Sequence, residues 1–532
     1  MNRHNEIDAK IAPKVNNLPT LIRNLLQAEV FPGCSDRPKL IETHISWVFL
    51  AGDFAYKIKK PVDLGFLNFS TLELRRHFCA EELRLNRHFA PSLYLDVVPL
   101  GGSAEDPQIG AEPAIDWAVR MRRFDDDAVL DHLAAAGRLR ADDLRGFGAT
   151  LAHDHDRAAT STHPDHGTVE SVSKPTFDNF ASLKRDCASE TDIVAQVERL
   201  HRWTACETEA LRQAFEMRVL NGRIRECHGD LHLGNIVRLD DSCVAFDCLE
   251  FDPALRWIDV SSDVGFLVMD LLHVERPDLA CEFLNRYLEV SGDYECLTTL
   301  TYYMVYRAMV RAKTTAVGIL QHDGERDFTP VRDYLQLAER LTRPPRSQRL
   351  VLCHGLSGSG KTWLSERLIG RLPALRLRSD VIRKHLHGLD ELESSSAGLD
   401  TGIYAADSSR RTYARMVRFA ALCLRAGFNV IVDATFLRRA DRAAFEAIAA
   451  ATDVELTLLH CEADQTVLEA RVRDRQTNDR DASEADVAVL HQQIATREPL
   501  VPEELGRTIT VHTDRDIDLD ELQRSLRPTI MR

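Results

Sequence analysis

G-L-S-G-S-G-K-T, residues Gly355 to Thr362, decides the fold class of the C-terminal third of this 532-residue chain. The stretch satisfies G-x-x-x-x-G-K-[ST], and its flanks agree with it. The apolar run R-L-V-L-C-H precedes it as a strand, and W-L-S-E-R-L-I follows it with helical spacing. Glycines let successive backbone N–H groups turn inward around phosphate oxygens, and the N-terminus of the next helix adds positive potential. The whole loop is therefore assigned to the phosphates of ATP: Gly355, Leu356, Ser357, Gly358, Ser359, Gly360, Lys361 and Thr362. Lys361 neutralises β/γ-phosphate charge, and the Thr362 hydroxyl is placed to ligate Mg²⁺.

Three features beyond the loop bear on the kind of chemistry. L-R-L-R-S-D ends a second strand, which sets Asp380 beside the loop as base for an acceptor hydroxyl and Arg383 as holder of the acceptor or its phosphate. A helix cap is the plain alternative for Asp380. N-V-I-V-D ends in Asp433, a Mg²⁺-side carboxylate or simply a polar strand end. Ala434 follows it, where a hydrolytic ATPase would usually place a water-activating Glu. In E-A-R-V-R-D-R-Q-T-N-D-R, Arg471 and Arg475 are four apart and share a helix face, as lid arginines over a transferred phosphoryl group or as a solvated face. After the linker-like R-P-P-R-S-Q-R at Arg343, strand and helix signals alternate as in a parallel α/β domain. From Arg349 to about Val511 the pattern resembles the nucleoside-monophosphate-kinase-like small-molecule kinases. S-D-V-I-R, V-I-V-D-A-T-F and R-D-A-S-E-A resemble a bacterial predicted-kinase group within that set.

The second motif is H-G-D-L-H-L-G-N, His228 to Asn235, followed by V-A-F-D-C-L-E-F. Phosphoryl transfer needs a base at the acceptor hydroxyl, then an amide oxygen and a carboxylate that hold Mg²⁺ against the phosphates. Asp230 is read as the base, Asn235 and Asp247 as metal ligands, and His228 as a brace of the loop. Upstream, A-Y-K-I-K-K sets Lys57 and Lys59 on one strand face. Lys57 is preferred as the phosphate-binding lysine, with Lys59 as the alternate. A helix over Thr71–His88 carries Leu74, Phe78, Leu85 and Phe89 on one face, with Glu81 and Glu82 flanking that stripe. Either could pair with the lysine. I-S-W-V-F-L-A-G-D-F-A-Y reads as a hairpin turning at Gly52–Asp53, and no glycine-rich loop precedes Lys57.

This half resembles the aminoglycoside phosphotransferase family, whose loop reads H-G-D-x-x-x-x-N and whose metal Asp lies in an I-D-x-x-E-like stretch; Asp247 with Glu250 keeps that spacing. The resemblance favours Glu82 through E-E-L-R-L-N. It also implies an adenine hinge near 120–125, where W-A-V-R-M-R-R-F ends. The order of the two halves resembles proteins described as bifunctional aminoglycoside phosphotransferase/ATP-binding proteins. The expected architecture is an N-terminal helical segment (1–39), an α+β bilobal protein-kinase-like domain (40–345) and an α/β P-loop domain with a parallel sheet (346–532). The expected activity is ATP- and Mg²⁺-dependent transfer to hydroxyls of small molecules at two sites. Three rivals stand beside it: a ligand-sensing N-terminal pseudokinase, a C-terminal polynucleotide 5′-hydroxyl kinase, and an ATPase switch.

Charge argues against nucleic acid as a partner. The chain carries −15, and the part from Arg346 onward balances 27 Lys+Arg against 28 Asp+Glu, so neither half has a basic excess. The polar start M-N-R-H-N-E-I-D-A-K is no signal peptide, and no apolar run approaches the ~20 residues of a membrane span. Twelve scattered cysteines form no C-x-x-C pair, which fits a reducing, cytoplasmic setting. Two clusters read as structural rather than functional: His153, Asp154, His155 and Asp156 in L-A-H-D-H-D, and Arg307 with Arg311, which share a helix face.

Overall fold

The structure is a computed structural model and describes residues 18–65, 67–321, 326–343, 348–390, 393, 405–478 and 485–526. Most of the linker-like R-P-P-R-S-Q-R, the start of the N-terminal segment and nearly all of R-D-A-S-E-A lie outside the described residues. The chain forms two compact units. The first comprises residues 1–139, 154–274 and 302–340, and the second 140–153, 275–301 and 341–532. The second unit thus takes in 140–153 and 275–301, two stretches inside the 40–345 domain expected from sequence.

In the first unit, β1 (Lys39–Glu42), β2 (Ser46–Ala51), β3 (Phe54–Lys59), β4 (Tyr94–Gly102), β5 (Pro107–Ile109) and β6 (Asp116–Arg122) form an antiparallel sheet ordered β1-β2-β3-β6-β4-β5. The β2–β3 hairpin pairs Ala51 with Phe54 across the turn Gly52–Asp53. Gly52 has φ +56°, the left-handed value that such two-residue turns require. Strand alternation then sorts β3. Tyr56 and Ile58 enter an apolar core with Phe31, Phe49 and Leu100, while Lys57 and Lys59 face the other way. The helix Leu72–Phe89 starts at Thr71, whose hydroxyl accepts the Leu74 N–H at 3.2 Å, and packs on β4 and β6.

Two short antiparallel pairs carry the motif region: β7 (Ile224–Glu226) with β10 (Trp257–Asp259), and β8 (Ile236–Leu239) with β9 (Ser242–Ala245). H-G-D-L-H-L-G-N lies between β7 and β8. Beneath it runs the helix Val260–His273, buried over nearly its whole length and carrying Asp263 and Asp270 among its apolar residues.

In the second unit, β11 (Arg349–His354), β12 (Ala374–Arg378), β13 (Asn429–Asp433), β14 (Glu455–Glu462) and β15 (Thr508–His512) make a parallel sheet ordered β12-β13-β11-β14-β15. The continuous apolar runs of β11 and β13 suit strands buried on both faces. Val351, Cys353, Ile431 and Leu459 pack with Leu364 and Leu368 of the helix Lys361–Ile369 in one core. Strand β12 is at the sheet edge, and the helix Pro277–Ser291 covers it. The Asn285 amide donates to Ala374 O at 2.8 Å and accepts the Arg376 N–H at 2.6 Å, while Glu289 meets the Arg376 guanidinium at 2.9 Å. A side-chain amide thus satisfies backbone groups that an edge strand otherwise leaves open. Among the described residues, no helix is long and apolar enough to cross a membrane.

Candidate functional site

Two polar constellations form, one in each unit. In the first, the lysines of β3 meet the helix Leu72–Phe89 and the segment after β9. Lys57 Nζ lies 2.9 Å from Glu82 Oε1 and 2.5 Å from Asp247 Oδ1. Lys59 Nζ lies 2.7 Å from Glu82 Oε2 and also pairs with Glu250. Glu82, which takes both lysines, is fully buried, whereas Glu81 pairs near the surface with Arg84 at 2.9 Å. Burial pushes the Glu82 carboxyl up, but the two ammonium groups outweigh it and hold it at about 2. Glu250 goes the other way, because burial, with Glu82 adding to it, exceeds the pull of Lys59 and Lys57.

The loop between β7 and β8 is held from below. Asp263, on the buried helix, accepts the N–H groups of His228 (2.8 Å) and Gly229 (3.0 Å). Arg307 donates to Gly229 O at 2.8 Å, and Asp270 accepts the Leu233 N–H at 2.9 Å. His228, fully buried, bonds Phe246 O through Nε2 at 2.9 Å, the bracing place expected of it. Arg307 is likewise structural, while Arg311 sets its Nε 3.3 Å from the Tyr334 hydroxyl. Asn235 Nδ2 donates to Asp230 O (2.9 Å) and Asp230 Oδ2 (3.0 Å), which leaves its Oδ1 aimed elsewhere. Burial would raise the Asp230 carboxyl, but the facing His232, with Arg311 and His228, holds it below the usual carboxylate range.

Asp247 adopts φ +63°, unusual for a residue with a side chain, and its side chain stays 45% exposed. Two residues not singled out from sequence fix this turn. The Tyr94 hydroxyl accepts the Asp247 N–H at 3.1 Å, and Asn86 Oδ1 accepts the Cys248 N–H at 2.9 Å while its Nδ2 donates to Glu82 O. Asn86 follows Glu82 by one helical turn; that i, i+4 spacing is the only sequence signal it carries. The turn between β1 and β2, Thr43–His44–Ile45, has no glycine. Its Thr43 hydroxyl accepts the Ser46 N–H at 3.0 Å, and its Thr43 N–H donates to Ser46 O.

Of L-A-H-D-H-D, His153 and Asp156 are exposed and Asp154 and His155 buried. His155, Cys227 and Asp263 bring ligand-type atoms within 4.8 Å of one another. Both Asp263 oxygens, however, already accept loop amides, so the cluster braces the loop.

In the second unit, Gly358 and Gly360 take φ +80° and +81°. A Cβ at Gly355 would stand 2.5 Å from Cys461 O, and one at Gly358 would stand 2.8 Å from Leu468 O. Only glycine fits at these two positions. Lys361 opens the helix Lys361–Ile369 with its Nζ donating to Leu356 O at 2.8 Å, and burial lowers its pKa. Thr362 follows, half-buried. Asp433 ends β13 beside Cys353, and its Oδ2 accepts the Ser365 hydroxyl at 3.3 Å. Asp380, in the first turn of the helix Ser379–Leu386, is paired with Arg383 at 2.6 Å.

The arginines expected in a lid are tied down. Arg471 donates to Gly358 O (3.2 Å) and to Thr513 O (2.7 Å), and Arg475 to Ala485 O (2.8 Å). Arg473 pairs at the surface with Glu469 at 3.1 Å, and Arg480 lies outside the described residues. Gln493 and Thr513, which no sequence motif singles out, also hold the loop. Gln493 Oε1 accepts the Ser357 N–H at 2.8 Å, and the Thr513 hydroxyl donates to Ser359 O at 3.0 Å. Neither belongs to a contiguous motif; folding alone brings them to the loop.

The uncharacterized protein Rv2004c of Mycobacterium tuberculosis is 32% identical to this chain over 453 residues, covering 84% of this chain and 88% of the relative. This chain belongs to its family. The uncharacterized protein Mb2027c of Mycobacterium bovis matches with the same figures. A family model described as an AAA domain matches residues 350–500, the stretch that holds the phosphate loop, Asp380, Asp433 and Arg471. Among solved structures, an unliganded sugar kinase from a Janibacter species is 18% identical, covering 34% of this chain and 92% of that one at a TM-score of 0.25. A choline/ethanolamine kinase family protein from Mesorhizobium loti is 14% identical, covering 59% and 90% at a TM-score of 0.36. Scores of this size carry no functional weight.

Proposed function

We propose that this chain is a phosphotransferase with two ATP sites, one per unit, each passing the γ-phosphate to a hydroxyl of a small molecule. One observation carries the reading for the first unit: Lys57, Glu82 and Asp247, dispersed in sequence, meet within 2.9 Å, while Asn235 reaches Asp230 at 3.0 Å. A lysine braced by a buried carboxylate suits nucleotide phosphates. Asp230, held ionised, suits the proton of an acceptor hydroxyl. The likeness to aminoglycoside phosphotransferases agrees with this arrangement and says nothing of the acceptor.

The donor set fits Mg²⁺. Asn235 commits its Nδ2 to Asp230, which leaves an amide oxygen for a hard cation, and the half-exposed Asp247 offers carboxylate oxygens. In the second unit, Thr362 and Asp433 would take that part. Bound Mg²⁺ would neutralise charge on the phosphates. The protein supplies the rest: Lys57 or Lys361 on phosphate oxygens, Asp230 or Asp380 at the acceptor, and Arg383 as acceptor anchor.

A second reading is favoured by the β1–β2 turn. It lacks glycine and spends its Thr43 donor internally, so the first unit would bind nucleotide without a phosphate-wrapping loop and act as a sensor for the second. A third, an ATPase switch, draws on the match to the AAA domain but meets Ala434 where a water-activating acid belongs.

The test uses the full chain with γ-labelled ATP, Mg²⁺ and a pool of hydroxylated metabolites. Label should pass to small molecules, to different products when Asp230→Ala or Lys361→Ala silences one site. Label transfer unaffected by Asp230→Ala would favour the sensor. Release of labelled phosphate with no labelled product would favour the switch.

A further inference from the structure

The loop of the first unit contains a second histidine, His232, which faces Asp230. Its side chain is 8% exposed and held on three sides. The Gly234 N–H donates to Nδ1 at 3.1 Å, Nε2 lies 3.5 Å from Asp230 Oδ2, and the Phe266 ring centroid is 5.4 Å away. An N–H directed at Nδ1 makes that nitrogen the acceptor, so the ring proton resides on Nε2 and faces Asp230. The same Oδ2 accepts Asn235 Nδ2 at 3.0 Å. The same oxygen of Asp230 thus takes a hydrogen bond from the Asn235 amide and faces the imidazole nitrogen of His232 at 3.5 Å. The other, Oδ1, takes neither contact, and the Asp230 side chain is 31% exposed.

The backbone is shaped around this ring. A Cβ at position 234 would stand 3.0 Å from His232 Cε1 and 3.1 Å from Nδ1. Gly234 is thus the residue that lets the imidazole fold back over its own loop.

We propose that His232 is a positioning residue: with Asn235 it pins Oδ2 of Asp230 and so selects Oδ1 as the atom that accepts the acceptor's proton. This rests on the reading of the first unit as a transferase. A carboxylate held by one donor can swing about its terminal torsion. Held on one oxygen by an amide hydrogen bond and a facing imidazole, it presents a single oxygen in one orientation, the kind of alignment that raises turnover without changing nucleotide affinity. The O–H bond of the acceptor breaks as the proton moves to Oδ1, while the acceptor oxygen forms its bond to the γ-phosphorus and ADP departs. His232 keeps its own proton throughout.

The test uses the full chain carrying Lys361→Ala, with Mg·ATP and the pool of hydroxylated metabolites as acceptors, and reads ADP release against ATP concentration. His232→Ala should lower kcat roughly 10- to 100-fold and leave KM for ATP within about two-fold. His232→Gln, which returns an N–H near the Nε2 position, should recover most of that loss, and Gly234→Ala should reproduce His232→Ala. Imidazole ¹⁵N shifts should show the Nε2–H tautomer at His232 whether or not the protein turns over. A kcat for His232→Ala equal to the parent's, a Gln variant no better than Ala, or a proton found on Nδ1 would each overturn the proposal. Asp230→Ala in the same background separates the two levels. Turnover retained there, or absent from the parent, sinks the transferase reading; turnover lost there but kept in His232→Ala sinks only the positioning role.

Discussion

Lys57 Nζ lies 2.5 Å from Asp247 Oδ1, a contact that joins residues 190 positions apart in the chain. Lys59, two residues on, has a different set of partners: it is fully buried between Glu82 and Glu250. The two lysines should therefore respond differently to removal. Lys57→Ala should lower ATP turnover of the first unit by about 100-fold or more, because transition-state charge loses its cationic partner. Its unfolding free energy should change little by comparison. Lys59→Ala takes from buried Glu250 its direct ammonium partner and leaves Glu82 with Lys57 alone, and should cost about 3–5 kcal/mol of stability. Steady-state kinetics and urea unfolding of the two variants, side by side, check the division of labour.

Acid should weaken the second unit through His354. Its Nδ1 lies 2.7 Å from His460 Nδ1, and burial, with His460, Arg442 and Lys361 in support, lowers its pKa from 6.5 to about 3. Above about pH 6.5 the ring is neutral in both folded and unfolded chains, and its contribution is complete. As pH falls from there toward 3, the unfolded chain binds a proton that the folded one refuses, so stability is lost at up to about 1.4 kcal/mol per pH unit. His354→Gln should flatten that slope in denaturant titrations between pH 6.5 and 4. An unchanged slope would assign the acid sensitivity to other groups.

Lys361→Ala should reduce nucleotide use by the second unit by about 100- to 1,000-fold, since an ammonium buried beside the phosphate loop is removed from the transferring charge. The measurement belongs in an Asp230→Ala background, so that the first unit is silent. Turnover equal to that of the background would remove the loop from the mechanism.

A fragment cut at residue 346 should fold poorly. It lacks Asn285 and Glu289, which satisfy the edge of β12 and the guanidinium of Arg376. Exposed parallel edges pair with other chains. The fragment should aggregate at concentrations where the full chain stays monodisperse by light scattering, and Asn285→Ala in the full chain should cost about 1–3 kcal/mol.

Much of this site was legible before folding is considered. The phosphate loop reads directly because consecutive backbone N–H groups grip phosphate, so the glycines that permit it must be contiguous. The left-handed values at Gly358 and Gly360 follow from the same need. Asp230 and Asn235 are legible for the same reason: both lie in one tight loop, and their 3.0 Å contact is local. Period-two alternation placed Lys57 and Lys59 on one face of β3, and helical periodicity placed the helix that meets them.

Periodicity could not choose between Glu81 and Glu82, which flank the apolar stripe almost symmetrically; packing chose, burying Glu82 under both lysines and leaving Glu81 to Arg84. Nor could it tie Arg471 to Gly358 O or set Gln493 against Ser357, since those bonds join segments more than 100 residues apart. The cover over β12 came from a helix that the linear reading assigned to another domain. What the chain states locally are the groups that lie close in sequence: loop amides, the aspartate Asp230 with the amide of Asn235, and alternating strand faces. Which buried charge meets which partner is settled only when the core closes, because an ion pair out of water depends on the side chains that exclude the solvent around it.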